Sequence, residues 1–227
     1  LEKLRSFYMN RGYLDFKINS SIIRISESKK SVFIDISITE GEKYYISDSK
    51  LSGKFDDVPE LLLQAQVGTL KGQVFNRAEV TGTTARLNQI LGDYGYAFSN
   101  ANAIPEVDKE NRTVSFNYFI DPGKKIYVRR INFFGNEKTK DSVIRREMRQ
   151  FESSWYSKAN VDRSKERLSR TQYFDQINVQ TANVPGVTDQ IDINLQLQER
   201  NTGKLMAGAG VSSGEGLVGT FTVSQSN

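Results

Sequence analysis

The sequence predicts an α+β chain built of small tandem modules, and three observations lead there. "ITEGEKYYISDSKLSGKF" (38–55) and "IDPGKKIYVRRINFFGNE" (120–137) align without a gap, setting Lys43 on Lys125, Tyr45 on Tyr127, Ile46 on Val128, Leu51 on Phe133, Gly53 on Gly135 and Gly41 on Gly123. A second landmark recurs in "NRGYLDF", "DYGYAFS" and "RTQYFDQ", where Tyr13, Tyr96 and Tyr173 stand 83 and then 77 residues apart. That spacing is too long for a solenoid and suits domains in tandem. Thirdly, each module closes on an alternating strand: Ile34, Ile36 and Ile38; then Val114, Phe116, Tyr118 and Ile120; then Ile191, Ile193, Leu195 and Leu197.

Within a module the elements follow from local chemistry. "KIYVRRINFFG" is rich in β-branched and aromatic residues and ends at a glycine, the pattern of a first strand. In "KTKDSVIRREMRQF", Thr139 can cap a helix whose Ile144, Met148 and Phe151 share a face. In "FNRAEVTGTTARLNQILGDYGY" the stripe is Val80, Thr84, Leu87 and Leu91, and Gly95 can end the helix by taking positive φ. The third copy of that turn has Gln172 where Gly12 and Gly95 stand, so its helix is expected to end differently. The turns "SESKK" (26–30), "VDKEN" (107–111) and "VPGVTD" (184–189) make hairpins of the last two strands. The module is therefore strand, helix, helix, strand, strand, with two helices on one face of a three-stranded sheet. Residues 1–42 form the second half of a module, 43–123 and 124–200 whole modules, and 201–227 a glycine-rich tail with two short alternating runs.

Composition narrows the chemistry. Among 227 residues there is no cysteine, hence no disulfide framework or thiolate metal site, and no histidine. The missing histidine removes the commonest general base, the commonest metal ligand and every Ser-His or Cys-His pair. No run approaches the ~18 apolar residues of a membrane-spanning helix. "LEKLRSFYMNRGY" begins mid-helix without the charge and cleavage pattern of a leader, so the chain is expected to belong to something longer. The formal charge of +4 is uneven. Fifteen basic residues face ten acidic ones in 124–200, against seven and ten in 44–123. The third module thus suits an acidic protein face, nucleic acid or anionic lipid, or simply carries a solvated charged surface.

The modules resemble POTRA domains of the machinery that folds β-barrel proteins into the outer membrane of Gram-negative bacteria. The likeness rests on "YVRRINFFGN", "RREMRQFE", "KERLSRTQYF" and "QERNTGKLMAGAGVSSGEG" and covers essentially the whole chain. It implies the second half of a third POTRA domain, a fourth and fifth domain, and the first strands of an incomplete barrel in 201–227. It also implies a periplasmic arm, anchored at the outer membrane through the rest of the barrel, that receives unfolded β-barrel proteins by adding a strand to an exposed sheet edge. Lipoprotein subunits are the other implied partners, BamD at the last module and BamB near the first. No cofactor, metal, catalysis or nucleic acid is implied.

Carried onto this sequence, strand pairing falls on "FKINSSIIRIS" (16–26), with Lys17, Asn19, Ile22, Arg24 and Ser26 along the edge, although Ile18, Ile22 and Ile23 read first as core. A second edge, "NANAIPEVD" (100–108), contains Pro105, which has no amide to donate. BamD docking falls on Arg145, Arg146, Arg149 and Glu152 in "RREMRQFESSW", where a helix would align Arg145, Arg149 and Glu152 along one exposed line. The bland alternative is that these charges satisfy one another, Arg145 or Arg149 pairing with Glu152. Gly41 and Gly123, in the short connections between modules, are the expected hinges. Tyr13, Tyr96 and Tyr173, with Phe16, Phe98 and Phe174, are expected to pack the helix–strand junctions.

Two rivals are weaker. A KH-like nucleic-acid module would need a Gly-x-x-Gly loop with basic flanks between its helices, and none occurs there. A POTRA-bearing secretion or translocation pore would share the modules, but the "NTGKLMAGAG" junction favours the assembly machinery.

Overall fold

The computed structural model describes residues 1–26, 28–55, 57–200, 203–212 and 216–225. Two compact units emerge, Leu1–Lys125 and Ile126–Asn227.

In the first unit, helix α1 (Glu2–Met9) leads into an antiparallel hairpin, β1 (Lys17–Ile25) with β2 (Val32–Thr39), bulged between Ile18 and Ser20. The middle module follows as β3 (Tyr45–Gly53), α2 (Glu60–Gln64), α3 (Arg77–Asp93), β4 (Asn100–Asp108) and β5 (Thr113–Asp121). Its sheet order is β3-β5-β4, with β3 parallel and β4 antiparallel to the central β5. A parallel neighbour requires a crossover, and α2 and α3 supply it. Val114, Phe116, Tyr118 and Ile120 of β5 point inward against Val80, Leu87 and Leu91 of α3, with Phe75 buried beside Phe116. Where β3 ends, only glycine fits: Gly53 has φ +107°, and a Cβ there would lie 2.0 Å from the Ile120 carbonyl oxygen. Helix α3 starts where the Asn76 side chain accepts from the amides of Ala78 and Glu79, and Gly95 ends it at φ +101°.

The second unit repeats the module as β6 (Tyr127–Phe134), α4 (Asp141–Arg145), β7 (Ser154–Trp155), α5 (Lys158–Arg170), β8 (Phe174–Asn183) and β9 (Gln190–Glu199). Ile191, Ile193, Leu195 and Leu197 of central β9 are buried. The tail pairs β10 (Gly203–Ser212) with β11 (Gly216–Gln225) antiparallel.

Several expectations need correction. The third module's sheet has four strands, β7-β6-β9-β8, because the two-residue β7 pairs with the start of β6. Helix α4 stops at Arg145 instead of running to Phe151. The amide of Arg149, which would bond the Arg145 carbonyl in a continued helix, donates to Ser164 Oγ at 2.7 Å, and the Gln150 amide donates there at 3.3 Å. Ile144 and Met148 are buried as expected, but Phe151 is 63% exposed. Thr139 is not the cap; its amide and that of Lys138 donate to Glu199, at 2.6 Å and at 3.0 to 3.1 Å. In α3 the inward residue is Thr83, with Thr84 bonding Thr81 at the surface. Gln172 does not change how its helix ends, for it takes the left-handed conformation itself, at φ +59°.

The largest correction concerns the first hairpin. Ile34 and Ile36 are exposed rather than packed, and Ile22 and Ile23 are 55% and 66% exposed. The physical reason is layering: among the described residues the β1–β2 sheet has two strands and no second layer over it. Helix α1 instead engages α3, with Glu2 bonded to Arg77 at 2.9 Å and Asn10 accepting from the Ala78 amide at 2.9 Å.

Candidate interaction surfaces

A small open sheet can act through its edges, where backbone groups on one side of the outer strand have no neighbouring strand. Strand β1 has β2 as its sole sheet neighbour among the described residues, leaving its outer edge unpaired. Of the residues expected there, Arg24 reaches across to Asp35 on β2, and Asn19, at the bulge, donates to Thr39 Oγ1 at 2.9 Å. Ser26 holds the turn, accepting from the Ser31 amide at 3.1 Å. Lys17 and Ile22 are exposed. Side chains therefore stiffen the hairpin while its outer backbone stays open. Strand β4 is likewise an edge, with Pro105 set opposite Phe116.

The first strands of the two whole modules are shielded instead. On β3, Gly72 donates to the Ile46 carbonyl and the Ile46 amide donates to Gln73, both at 2.8 Å. On β6, β7 covers Tyr127 and Val128, and two charged side chains cover Ile131. Glu152 accepts from the Ile131 amide at 2.8 Å, Arg145 donates to the Ile131 carbonyl at 3.3 Å, and the two pair with each other at 3.3 Å. Arg145 and Glu152 thus meet as a plug on an edge rather than as a line on a helix. Arg146 pairs with Glu147 at 3.5 Å, and Arg149 turns back to the carbonyls of Arg146 and Met148.

Sequence reasoning missed the residue that organises this segment. Gln150 is 1% exposed, and its amide nitrogen lies within 3.2 Å of the Phe151 carbonyl, Ser154 Oγ and the Trp155 carbonyl. Its amide oxygen accepts from the Ser157 amide at 2.8 Å. Burial with four partners makes Gln150 the frame of the 149–157 loop, which presents Phe151 and Trp155 outward, Trp155 against Tyr127 with ring centroids 4.3 Å apart. A lone glutamine among charged residues carries no periodic signal that could have revealed this. Of the expected junction aromatics, Phe16, Tyr96 and Phe174 are buried, Tyr13 and Tyr173 partly so, and Phe98 is exposed.

At the connections, Gly41 and Gly123 both have positive φ, +77° and +67°. Gly41 lies inside the first unit, closely backed by Asp15, whereas nothing stands within 4 Å of a Cβ built on Gly123. Two residues later, Lys125 pairs with Asp57 at 2.9 Å and lies 5.7 Å from the centre of the Tyr96 ring. The Tyr96 hydroxyl also donates to Asp57 at 2.8 Å. Hydrogen bonding to Lys125 and then to Tyr96 holds the Asp57 carboxyl below its ordinary value. Among the described residues there is no group of three or more His, Cys, Asp or Glu placed to hold a metal, and no helix long and apolar enough to cross a membrane. The latter says nothing of membrane crossing by strands.

A POTRA family model, described as "Surface antigen variable number repeat", matches residues 1–41, 44–123 and 126–200. The outer membrane protein assembly factor BamA of Neisseria meningitidis is 37% identical over all 227 residues, which cover 28% of its length. That of Buchnera aphidicola is 30% identical over the same span, 37% of its length. The chain therefore spans about a third of the curated relatives it matches. Among solved structures, Haemophilus influenzae BamA POTRA3-5 superposes with a TM-score of 0.80 at 27% identity, covering 87% of this chain and 78% of that one. BamA from Haemophilus ducreyi lacking POTRA domains 1-3 gives 0.66 at 37% identity, covering 80% and 34%.

Proposed function

The chain belongs to the POTRA family, and from that premise we propose that it is a periplasmic arm of the outer-membrane β-barrel assembly machinery. The arm receives unfolded barrel proteins by strand addition and docks partner lipoproteins, with the outer membrane reached through barrel strands beyond β10 and β11. It works by binding alone and is not an enzyme. The observation that carries the reading is the outer edge of β1, unpaired among the described residues, beside exposed Ile22 and Ile23, in a chain whose relatives carry the name of an outer membrane protein assembly factor. Backbone amides and carbonyls along an open edge bind an extended segment with little regard to its side chains, which suits a factor with many barrel substrates. The better edge is 16–26, through Lys17, Asn19, Ile22, Arg24 and Ser26; Pro105 weakens the alternative on β4.

Docking of BamD is assigned to Arg145, Arg146, Arg149 and Glu152, and BamB is placed near the first module. The shape of the 145–155 segment supports the first assignment, because a loop framed by a buried amide spends little conformational entropy on binding. Gly123 is the joint between whole modules and Gly41 the corresponding bend before the middle one. The test is an amide-shift titration of the chain with an extended peptide from the last strand of an outer-membrane barrel, run beside single-stranded RNA. Shifts along 16–26 without an RNA response are expected. RNA shifts over the third module with no peptide response would replace the reading with nucleic-acid binding.

A further inference from the structure

The repeat places a cation where the chain leaves each module, and in all three the cation returns to that module's own tyrosine turn. In the first, Lys43 lies 5.5 Å from the Tyr13 ring centre and bridges to Tyr13 through the backbone, while the Tyr44 amide donates to the Gly12 carbonyl at 2.9 Å. In the third, the Arg200 amide donates to the Tyr173 carbonyl at 2.8 Å and its guanidinium pairs with Asp175 at 2.6 Å. In the middle module the exit residue is Lys125, held by the Tyr96 ring and by Asp57, which Tyr96 also bonds. The partners differ while the arrangement recurs, so what is kept is the anchoring of the departing chain.

We propose that Lys125, Asp57 and Tyr96 form a latch that decides whether the joint at Gly123 bends. The inference rests on the jointed-arm reading and adds a control to it. Among the described residues nothing stands within 4 Å of a Cβ on Gly123, and its amide donates to Asp121 Oδ1 at 3.2 Å, within the same short segment. With Lys125 seated, the segment from Asp121 to Lys125 is fixed at both ends and the glycine is a rigid corner. With Lys125 released, one end is free and the glycine can turn. Asp57 is solvent-exposed and Lys125 about one third so, which keeps their attraction modest and easily screened. A latch of that strength opens and closes at ambient temperature, and a partner surface offering Lys125 another carboxylate would open it.

The experiment is 15N relaxation on the full chain, comparing the parent with Asp57→Asn and Lys125→Met, at ~0.05 M salt and at ~0.5 M, where screening lengths shrink to a few ångström. Lys125→Met removes the ammonium and keeps the stem; Asp57→Asn keeps the hydrogen-bonding shape for Tyr96 and leaves a variant to read if the first unfolds. In the parent at low salt, amides of 123–126 are expected to be as ordered as strand backbone, with order parameters near ~0.85, and to fall toward ~0.6 in either variant and at high salt. The 45–121 amides should stay in place throughout. Equally low values in the parent and both variants would overturn the latch and leave the jointed arm standing. Uniformly high values everywhere, with both units tumbling together even at high salt, would overturn the latch and the jointed-arm reading with it.

Discussion

The middle and third modules share three corresponding strands in the same order, the third adding the short β7, yet they hold their helices with different polar chemistry. In the middle module the buried polar centre is a row of hydroxyls: Thr69 bonds Tyr118 at 2.9 Å and Ser49 at 2.7 Å, beneath a 17-residue α3. In the third it is an amide and a hydroxyl: Ser164 takes over the Arg149 and Gln150 amides that a longer α4 would have bonded within itself, and Gln150 accepts from the Ser157 amide at the start of α5. Apolar alternation sets the sheet in both modules. The difference lies in how each buries its unpaired backbone, and it leaves the third module with an outward aromatic loop where the middle module has a turn at 70–74 lying against β3.

The largest effects are expected at the two cores. Leu87 and Leu168 are both almost wholly buried, in α3 and α5, and each replaced by alanine should cost about 2 to 5 kcal/mol. If the units fold independently, Leu87→Ala should lower hydrogen-exchange protection within Leu1–Lys125 alone, and Leu168→Ala within Ile126–Asn227 alone. Spread of either effect across both units would show that they unfold together. The next effect in size belongs to the third module's amide. Gln150→Ala strips the partners of the Ser157 amide and of two carbonyls, and should cost roughly 1 to 3 kcal/mol. Tyr118→Phe in the middle module leaves Thr69 still bonded to Ser49, and should cost nearer ~1 kcal/mol. Urea midpoints of the two variants would order them, and a reversal would mean that the loop's frame lies elsewhere.

A smaller contrast lies at the tyrosine turns, where Gly95 at φ +101° and Gln172 at φ +59° do the same work. Gln172→Gly should stabilise the second unit by up to ~1 kcal/mol, since only glycine visits that region without cost. Gly95→Gln should destabilise the first unit by more, because +101° lies beyond the small left-handed well open to side chains. Equal and opposite changes in melting would count against this reading.

What could be read in advance follows from which physical signals are periodic. The inward faces of β5 and β9 follow from alternation, which a sheet with one buried face imposes on every second residue, and the hairpins from the turn residues between their strands. The same alternation in β2 does not mean burial, because Ile34 and Ile36 bury only if a second layer lies over them, and a pattern in one strand says nothing about its cover. Ile144, Met148 and Phe151 keep helical spacing past the end of α4, while the group that ends the helix is the Ser164 hydroxyl, far along the chain. The pairing of Arg145 with Glu152 is legible as the bland alternative in the sequence, but their shared partner, the Ile131 backbone, belongs to another element and leaves no mark in the local sequence.

The smallest effect tests how differently the two units use a carboxylate. Asp57 is held below its ordinary value by Lys125 and Tyr96, and Asp192 is held below its own by Arg129, which grips both carboxylate oxygens at 2.9 and 2.6 Å. A depressed carboxyl contributes stability that is fully present above its unfolded value, near 3.8, and is lost as pH falls through the folded one. Asp57→Asn should therefore lower the first unit's urea midpoint at pH 7, with the gap to the parent closing as pH drops below 3.8; Asp192→Asn should do the same for the second unit. The Asp192 gap should be the wider, since its partner binds bidentately and its side chain is mostly covered, while Asp57 faces solvent. A gap for Asp57 that persists unchanged into acid would mean that its carboxylate charge does not hold Lys125, and that the aromatic ring alone anchors the exit.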